Sequence, residues 1–511
     1  MDVQQRSIVI GAGIGGLAVA LRLRAAGRDV LVLERAGHVG GKMRTRPSPA
    51  GDIDTGPTVL TMKPVFDALF DDIGEKLEEH VTLENEPLLA RHWWRDGAAL
   101  DIWQDSAKTR EEIAGVFGAR SGQDYARFAR DAARLFDAFD QPMMQSADPK
   151  ALALTARVLR EPGLIGAMAP LRSLAQKLDM SFSDPHLRQL FGRYATYVGG
   201  SPYQSPAVLS LISHSEASGV WRVKGGMHKL AQALRNLGEA RGIKYLTGAD
   251  VTRIEVQGGR VAAVHTGDGR FACAEAIFNG DPRALTQGLL GAGVVRAVPP
   301  KPLSDRSLSA YVWAFASGLD APDGMPLAHH NVFFARDPAE EFGAVKAGEI
   351  PREPTLYVCA EDRGTGLIPP EIERFEIIMN AAPLTRRLPA AEEKDLCRQQ
   401  TFPTLAQFGV TFRNRPPDRA LTAPKEWEAL FPGSAGSLYG QSPHGMMAAF
   451  QRPTAKTRIP GLYLVGGGAH PGAGVPMATL SAKHAAGAIL GARTSISPSR
   501  PTVMPGGMST A

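Results

Sequence analysis

Residues 6–36 read RSIVIGAGIGGLAVALRLRAAGRDVLVLERA, and this stretch decides the fold. Ser7 to Ile10 is short and apolar, as a buried strand is, and Gly16 to Ala26 has the composition of a helix that Gly27 stops. Val30 to Leu33 is a second buried run. Between the first strand and the helix stands Gly11-Ala12-Gly13-Ile14-Gly15-Gly16, a G-x-G-x-x-G turn. Gly11 permits the sharp turn, Gly13 lets the backbone approach a pyrophosphate, and Gly16 with Ala20 lets the helix lie close to the sheet. The pyrophosphate then meets free N–H groups at the positive end of the helix dipole. Glu34 ends the second strand about 20 residues on, where a carboxylate accepts both ribose hydroxyls of an adenosine and repels a 2′-phosphate. A bare glycine cluster is a weak signal; strand, helix, small residue and acid in the right order make a dinucleotide site.

Working outward, Ile8 to Leu21 is uncharged after Arg6 and could pass for the apolar part of a signal peptide. It is shorter than the ~20 residues a membrane span needs. It continues into a segment where Arg22, Arg24, Arg28 and Glu34 are interspersed with apolar residues. No signal peptide is expected, and no later run is closer to a span.

The 511 residues are 44% hydrophobic, 21% charged and 7% aromatic, an ordinary globular composition with room for roughly two to four domains. The 57 Lys and Arg against 52 Asp and Glu leave +5, too little to imply nucleic acid and compatible with an anionic membrane surface. Cys273, Cys359 and Cys397 are too few and scattered for a disulfide framework or zinc site, which suits a reducing cytoplasm. The 12 histidines show no metal spacing, so no metal is expected.

The chain divides into a first nucleotide segment (1–62), a mostly helical region (63–216), a second nucleotide segment (217–290), a region of strands and Pro-rich turns (291–454), a third nucleotide segment (455–492) and a tail rich in Ser, Pro and Gly (493–511) expected to be disordered. Lys244 to Leu246, Asp250 to Val256, Arg260 to Thr266 and Ala276 to Asn279 are strand candidates in the second segment. In the third, Leu462 to Val465 is a buried strand followed by a glycine turn and a helix from about Met477 to Leu490.

After Glu34 come Arg35, Gly40-Gly41-Lys42-Met43-Arg44-Thr45 and Asp54-Thr55-Gly56-Pro57. This extension resembles the signature of the amine oxidase and carotenoid desaturase superfamily, which implies FAD. It places Gly11, Gly13, Gly15, Gly16, Glu34, Arg35, Gly41, Lys42, Met43 and Arg44 at the cofactor. Lys42 and Arg44 are candidates for phosphate contacts, with a solvated basic turn as the alternative. Gly219 to Met227 is similar to the segment in which bacterial-type carotenoid desaturases re-enter the FAD domain, and Val251 to the strand whose backbone reads the adenine. LYLVGGGAHPGAGVPMATLSAKHAAGAI, residues 462–489, is similar to the C-terminal signature of phytoene desaturase-like enzymes and puts Gly467, Gly468, Gly474, Val475 and Pro476 at the flavin end. Tyr439 to Gly445 and Pro476 to Thr479 most resemble the hydroxyneurosporene (1-hydroxycarotenoid 3,4-) desaturases of phototrophic bacteria.

The resemblance implies an α/β, Rossmann-like FAD-binding fold with an inserted substrate domain and a helical, membrane-facing region. It also implies desaturation of an acyclic carotenoid, with oxygen or a membrane quinone taking the electrons. Hydride loss at an allylic carbon leaves a cation delocalised over the polyene, and the proton beside it needs only a weak base or water, so no triad or metal set is required. Arg172 corresponds to an arginine considered for catalysis in phytoene desaturase; the residues around it depart from that pattern, and an exposed helix-face arginine is the alternative. His444 and His470 sit in family motifs with structural and acid–base roles both open.

A C40 polyene has to be collected from a bilayer. Residues 151–178 carry Leu152, Leu154, Val158, Leu159, Leu164, Ile165, Met168 and Leu171 with Arg157, Arg160, Arg172 and Lys177, a basic amphipathic composition broken by Pro162-Gly163 and Pro170. It suits peripheral attachment at the cytoplasmic face, with helices packed on their own domain as the alternative. Phytoene desaturation, amine oxidation and a non-catalytic prenyl-protein chaperone are the other functions that such a chain could carry.

Overall fold

The computed structural model describes residues 6–302, 306–320, 326–364, 366–384 and 390–491, so the tail from Arg493 lies outside the described residues. Strand β1 (Arg6–Ile10), helix α1 (Ile14–Ala25) and strand β2 (Asp29–Glu34) open the fold. β1 and β2 sit in a five-stranded sheet in the order 462–464, 275–278, β1, β2, 244–247, with every pairing parallel. Its strands therefore come from three separated stretches of chain.

A parallel sheet is covered on both faces, and strand alternation sorts the side chains between them. Val9, Val32 and Ile277 join the core that α1 forms with the helices His228–Ala240 and Val475–Leu490. Ile8, Ile10, Leu31, Leu33, Ala276 and Phe278 join the core on the opposite face. A three-stranded antiparallel sheet, Val251–Gln257 with Arg260–Thr266 and Gly269–Ala272, supplies Val251, Ile254, Val261 and Val264 to that second core. Of the three strands expected over 244–266, the first thus joins the parallel sheet and the other two leave it.

The second large sheet has seven strands in the order 421–422, 309–317, 373–381, 356–360, 330–333, 88–93, 99–103. Two of them, Leu88–Trp93 and Ala99–Trp103, come from the region expected to be mainly helical. They form a hairpin around Asp96-Gly97, an Asp-Gly turn signal between two apolar runs, and Gly97 has φ +90°. On one face of this sheet Tyr311, Trp313, Phe315, Phe375, Ile377 and Met379 pack with Cys397 and Leu405 of the helix Ala390–Gln407. The alternate residues Ala310, Val312, Glu376, Ile378 and Asn380 face a cavity between the two sheets.

The segment 151–178 folds as three short helices, Ala151–Arg160, Gly163–Met168 and one starting at Leu174. Pro162 ends the first step, and Ala169 and Leu171, with φ +42° and +66°, turn the chain around Pro170. Leu154, Leu164 and Ala167 pack with Leu135, Phe139 and Met143 on the helix Ala119–Phe139 and the turn after it. None of the described helices is long and apolar enough to cross a membrane.

The two faces of the Ser309–Ser317 strand make different demands. Replacing Trp313 with Ala opens a hole in a closed core and is expected to cost about 3–5 kcal/mol. Val312→Ala removes a smaller side chain that packs on Trp427 at the edge of the cavity and is expected to cost less than half of that. Urea denaturation of both variants checks this; equal losses would place both residues in one core.

Candidate active site

All five parallel strands end at the same edge, where open α/β sheets bind ligands. β1 runs into Gly11, whose φ of +100° makes the turn and whose N–H donates to the Leu33 carbonyl at 2.7 Å. Gly16 sits beneath the turn: a Cβ there would stand 2.0 Å from the Gly11 carbonyl oxygen. Glu34, at the end of β2, accepts from the N–H of Ala12 at 2.6 Å and of Ala36 at 2.8 Å, one on each carboxylate oxygen. Each oxygen keeps a second acceptor direction, and Glu34 lines the cavity. Val251 is brought beside it, because the Ala249 N–H donates to the Glu34 carbonyl at 2.9 Å.

The second glycine pair lies against the first. The Gly40 N–H donates to the Ala12 carbonyl at 2.8 Å, and a Cβ on Gly41 would stand 3.1 Å from Gly13 Cα. Lys42, Met43 and Arg44 follow along the cavity wall. The Lys42 amine donates to the Leu438 carbonyl, and burial, reinforced by Arg306 and Arg452, pushes its pKa down to about 8 against the pull of Asp281. Arg44 is lowered by burial, and its Nε is buried with no hydrogen-bond partner. Arg35 borders the cavity and donates to the carbonyls of Ala429, at 2.8 Å, and Leu430.

The third segment closes the edge. The Gly466 N–H donates to Ser481 Oγ at 2.8 Å, and Gly467, Gly468, Gly474, Val475 and Pro476 line the cavity ahead of the helix Val475–Leu490. Pro476 stands in the first helical turn, where a missing N–H is no loss. Arg452 ties this segment to its neighbour by donating to the carbonyls of Gly467 at 2.8 Å, Tyr439 at 3.0 Å and Gln441 at 2.8 Å.

The cavity has a volume of about 1520 Å³, above the ~300–1,000 Å³ of an ordinary small-ligand pocket, which is room for more than one ligand of ordinary size. Beyond the glycine edge it is walled by the alternate residues of the seven-stranded sheet, among them Val312, Val332, Phe334 and Ile378. Polar groups on this wall are mostly paired. The Tyr357 hydroxyl lies 2.7 Å from Thr58 Oγ1 and 2.7 Å from His330 Nδ1. Glu216 accepts from Tyr194, from Tyr197 and, at 3.3 Å, from Arg193. Glu376 is different: it is fully buried and neither carboxyl oxygen has a partner.

Several expected residues stand elsewhere. Arg172 is exposed and is not part of the cavity lining, because the turn at Ala169 to Leu171 carries it to the surface; that corrects its reading as a catalytic candidate. His470 Nε2 bonds the Ser146 carbonyl at 2.9 Å and His444 Nε2 accepts the Ser201 N–H at 3.1 Å, both structural contacts. All three thiols are free and buried. The fold also gathers His329, His330 and Cys359, their ligand atoms within 4.8 Å of one another, a group that no spacing along the chain displays. His329 Nδ1 is engaged with the Arg363 carbonyl at 2.6 Å, as His330 is with Tyr357.

The residues present fit FAD. The glycine edge leaves room where a Cβ would collide, Glu34 has acceptor directions open for ribose hydroxyls, and Arg44 Nε awaits an acceptor. When bound, that group supplies a two-electron hydride acceptor. Sequence reading had not singled out Asn279, Arg452 or Glu376. Asn279-Gly280-Asp281 does carry a local signal, a polar turn directly after a buried strand, and Glu376 interrupts the apolar run of its strand.

With this geometry the chain belongs to the family of flavin containing amine oxidoreductases, which it matches over residues 14–490. Its cofactor is FAD. Within the family it is similar to the hydroxyneurosporene desaturase of Cereibacter sphaeroides, 52% identical over 96% of this chain and 98% of the relative. It is 48% identical to that of Rhodobacter capsulatus over the same shares of the two chains. The chain therefore belongs with the bacterial carotenoid desaturases. The fold is also that of a solved cyclohexylamine oxidase from Brevibacterium oxydans, TM-score 0.55 at 16% identity, covering 95% of this chain and 98% of the other.

Glu34→Gln places an amide NH₂ against one of two N–H donors. FAD binding is expected to weaken about 10- to 100-fold, since hydrogen bonds to a charged group are involved. Flavin content after dialysis measures it; undiminished flavin would show that the carboxylate does not organise the site.

Proposed function

We propose that this protein is an FAD-dependent carotenoid desaturase that introduces the C3–C4 double bond into acyclic 1-hydroxycarotenoids. The observation that carries the reading is the one cavity running from the glycine edge along the face of the second sheet that carries Val312, Val332 and Ile378. Its apolar lining residues suit a hydrocarbon chain, and most of the polar groups among them are paired with one another. The hydroxyneurosporene desaturases, similar over nearly the full length, support the choice of substrate class.

The chain's own residues have a limited task in such a reaction. Val312, Val332, Phe334 and Ile378 hold the polyene in register and keep water away from the reacting carbons. Loss of hydride from the allylic carbon leaves a cation spread over the conjugated system. The neighbouring proton then leaves to water or a weak base. Oxygen or a membrane quinone takes the electrons onward.

The reading is tested by expression in hosts that accumulate 1-hydroxyneurosporene, neurosporene or phytoene, followed by pigment analysis. Extended conjugation of the hydroxylated carotenoid is the expected result. Conversion of colourless phytoene would move the assignment to phytoene desaturation, and a colourless purified protein would point to a carrier of prenyl chains.

Collection of the substrate calls for peripheral attachment at the cytoplasmic face of the membrane. Leu152 is 85% and Leu171 87% exposed, and Leu159 and Ile165 are exposed near Arg157, Arg160 and Arg172. Leu154 and Leu164 belong to the core, and Lys177 is buried, donating to Ser210 Oγ at 2.7 Å and to the Ala167 carbonyl, so these three leave the proposed surface. The quadruple change of Leu152, Leu159, Ile165 and Leu171 to Ser is expected to abolish co-sedimentation with anionic liposomes while leaving flavin content intact. Undiminished sedimentation would remove this surface from consideration.

A further inference from the structure

Glu376 stands in the middle of the strand Glu373–Ala381, paired with Ala314 on one side and Cys359 on the other. Its neighbours Phe375 and Ile377 turn to the closed core, so Glu376 turns with Ile378 to the cavity. An unsatisfied buried carboxyl is costly, and native structures retain such groups where something else completes them. Nearby polar side chains leave it alone: Tyr357 is held by Thr58 and His330, and Asn380 leans on Glu341 at 3.5 Å.

We propose that the Glu376 carboxyl receives the tertiary hydroxyl of a 1-hydroxycarotenoid, and so selects that substrate and sets which carbons face the flavin end of the cavity. The proposal rests on the functional reading above. Burial, with the charges of Glu361 and Asp54 adding to it, raises the carboxyl above the usual carboxylate range. A carboxyl accepts a hydrogen bond from an alcohol in either protonation state, and when protonated it donates one as well. It gives a hydrocarbon end no partner.

Its position agrees with this role. Tyr439 lines the same cavity as Glu376. The adjoining Gly440 packs against the third nucleotide segment, where a Cβ would stand 3.5 Å from Gly468 Cα. In a 1-hydroxycarotenoid the hydroxyl-bearing carbon is two bonds from C3. The allylic C4 that loses hydride is one bond further, so a group that binds the hydroxyl must lie close to the reacting carbons.

The test compares wild-type, Glu376→Leu and Glu376→Gln enzymes, flavin-loaded, on 1-hydroxyneurosporene and on neurosporene, which lacks the hydroxyl. Wild type is expected to prefer the hydroxylated substrate. Glu376→Leu should reduce the ratio of the two kcat/KM values about 10- to 100-fold, as when a site loses its partner for a substrate hydroxyl. Glu376→Gln, which keeps a donor and an acceptor, should hold the ratio within a few-fold. An unchanged ratio in a flavin-loaded Glu376→Leu enzyme overturns the proposal. If that variant fails to fold, infrared difference spectra of wild type decide, with the Glu376 carboxyl band identified by its loss in Glu376→Gln. The band should shift on adding 1-hydroxyneurosporene and stay with neurosporene; no shift with the hydroxylated carotenoid overturns the proposal. A wild type that converts neither carotenoid refutes the functional reading and the proposal with it, and is recognised because the failure precedes any substitution.

Discussion

The side chain of Asn279 is the point at which three distant pieces of chain are joined. Its amide donates to the Gly11 carbonyl at 3.1 Å, which ties the second nucleotide segment to the first. The third segment passes so close that a Cβ on Gly466 would fall 2.3 Å from Asn279 Oδ1, and one on Gly15 would fall 2.8 Å from Gly466 Cα. Only glycine, with φ +95° at 466, permits this approach. The shape of the cofactor edge follows from that packing: Gly11–Gly16, Asn279 and Gly466–Gly468 form one surface because nothing bulkier separates them. The helix Val475–Leu490 is aimed at the cavity by the same constraint.

The second sheet solves a different problem. A large water-insoluble substrate needs a dry wall that is not filled by the protein's own side chains. Strict alternation along residues 309–317 and 373–381 gives one face to Trp313, Phe315, Phe375 and Ile377, which close a core, and the other to smaller or polar residues. Polar groups on such a wall are tolerated when they satisfy one another, as Thr58, Tyr357 and His330 do. The unpaired Glu376 departs from that rule, and departures of this kind are where function is to be sought.

Local pattern made much of the nucleotide half legible. The strand, turn, helix and second strand of residues 6–34 are set by interactions close along the chain, and so are Leu462–Leu464 and the helix after it. The hairpin at 88–103 was hidden because a mostly helical neighbourhood drew attention from its Asp-Gly turn. Amphipathic composition over 151–178 leaves open which residues another helix covers, and only the fold shows that Leu164 and Lys177 lie inside. Arg172 was placed by analogy and is exposed. Glu376 gains its meaning only from strand pairings that cross long stretches of sequence.

Whether one cavity carries flavin and hydroxylated polyene together is tested directly by mixing the two without oxygen. Anaerobic addition of 1-hydroxyneurosporene to the flavin-loaded enzyme should bleach the visible flavin band, with one new double bond in the carotenoid for each flavin reduced. A band that persists with this substrate but bleaches with phytoene or an amine would contradict the account.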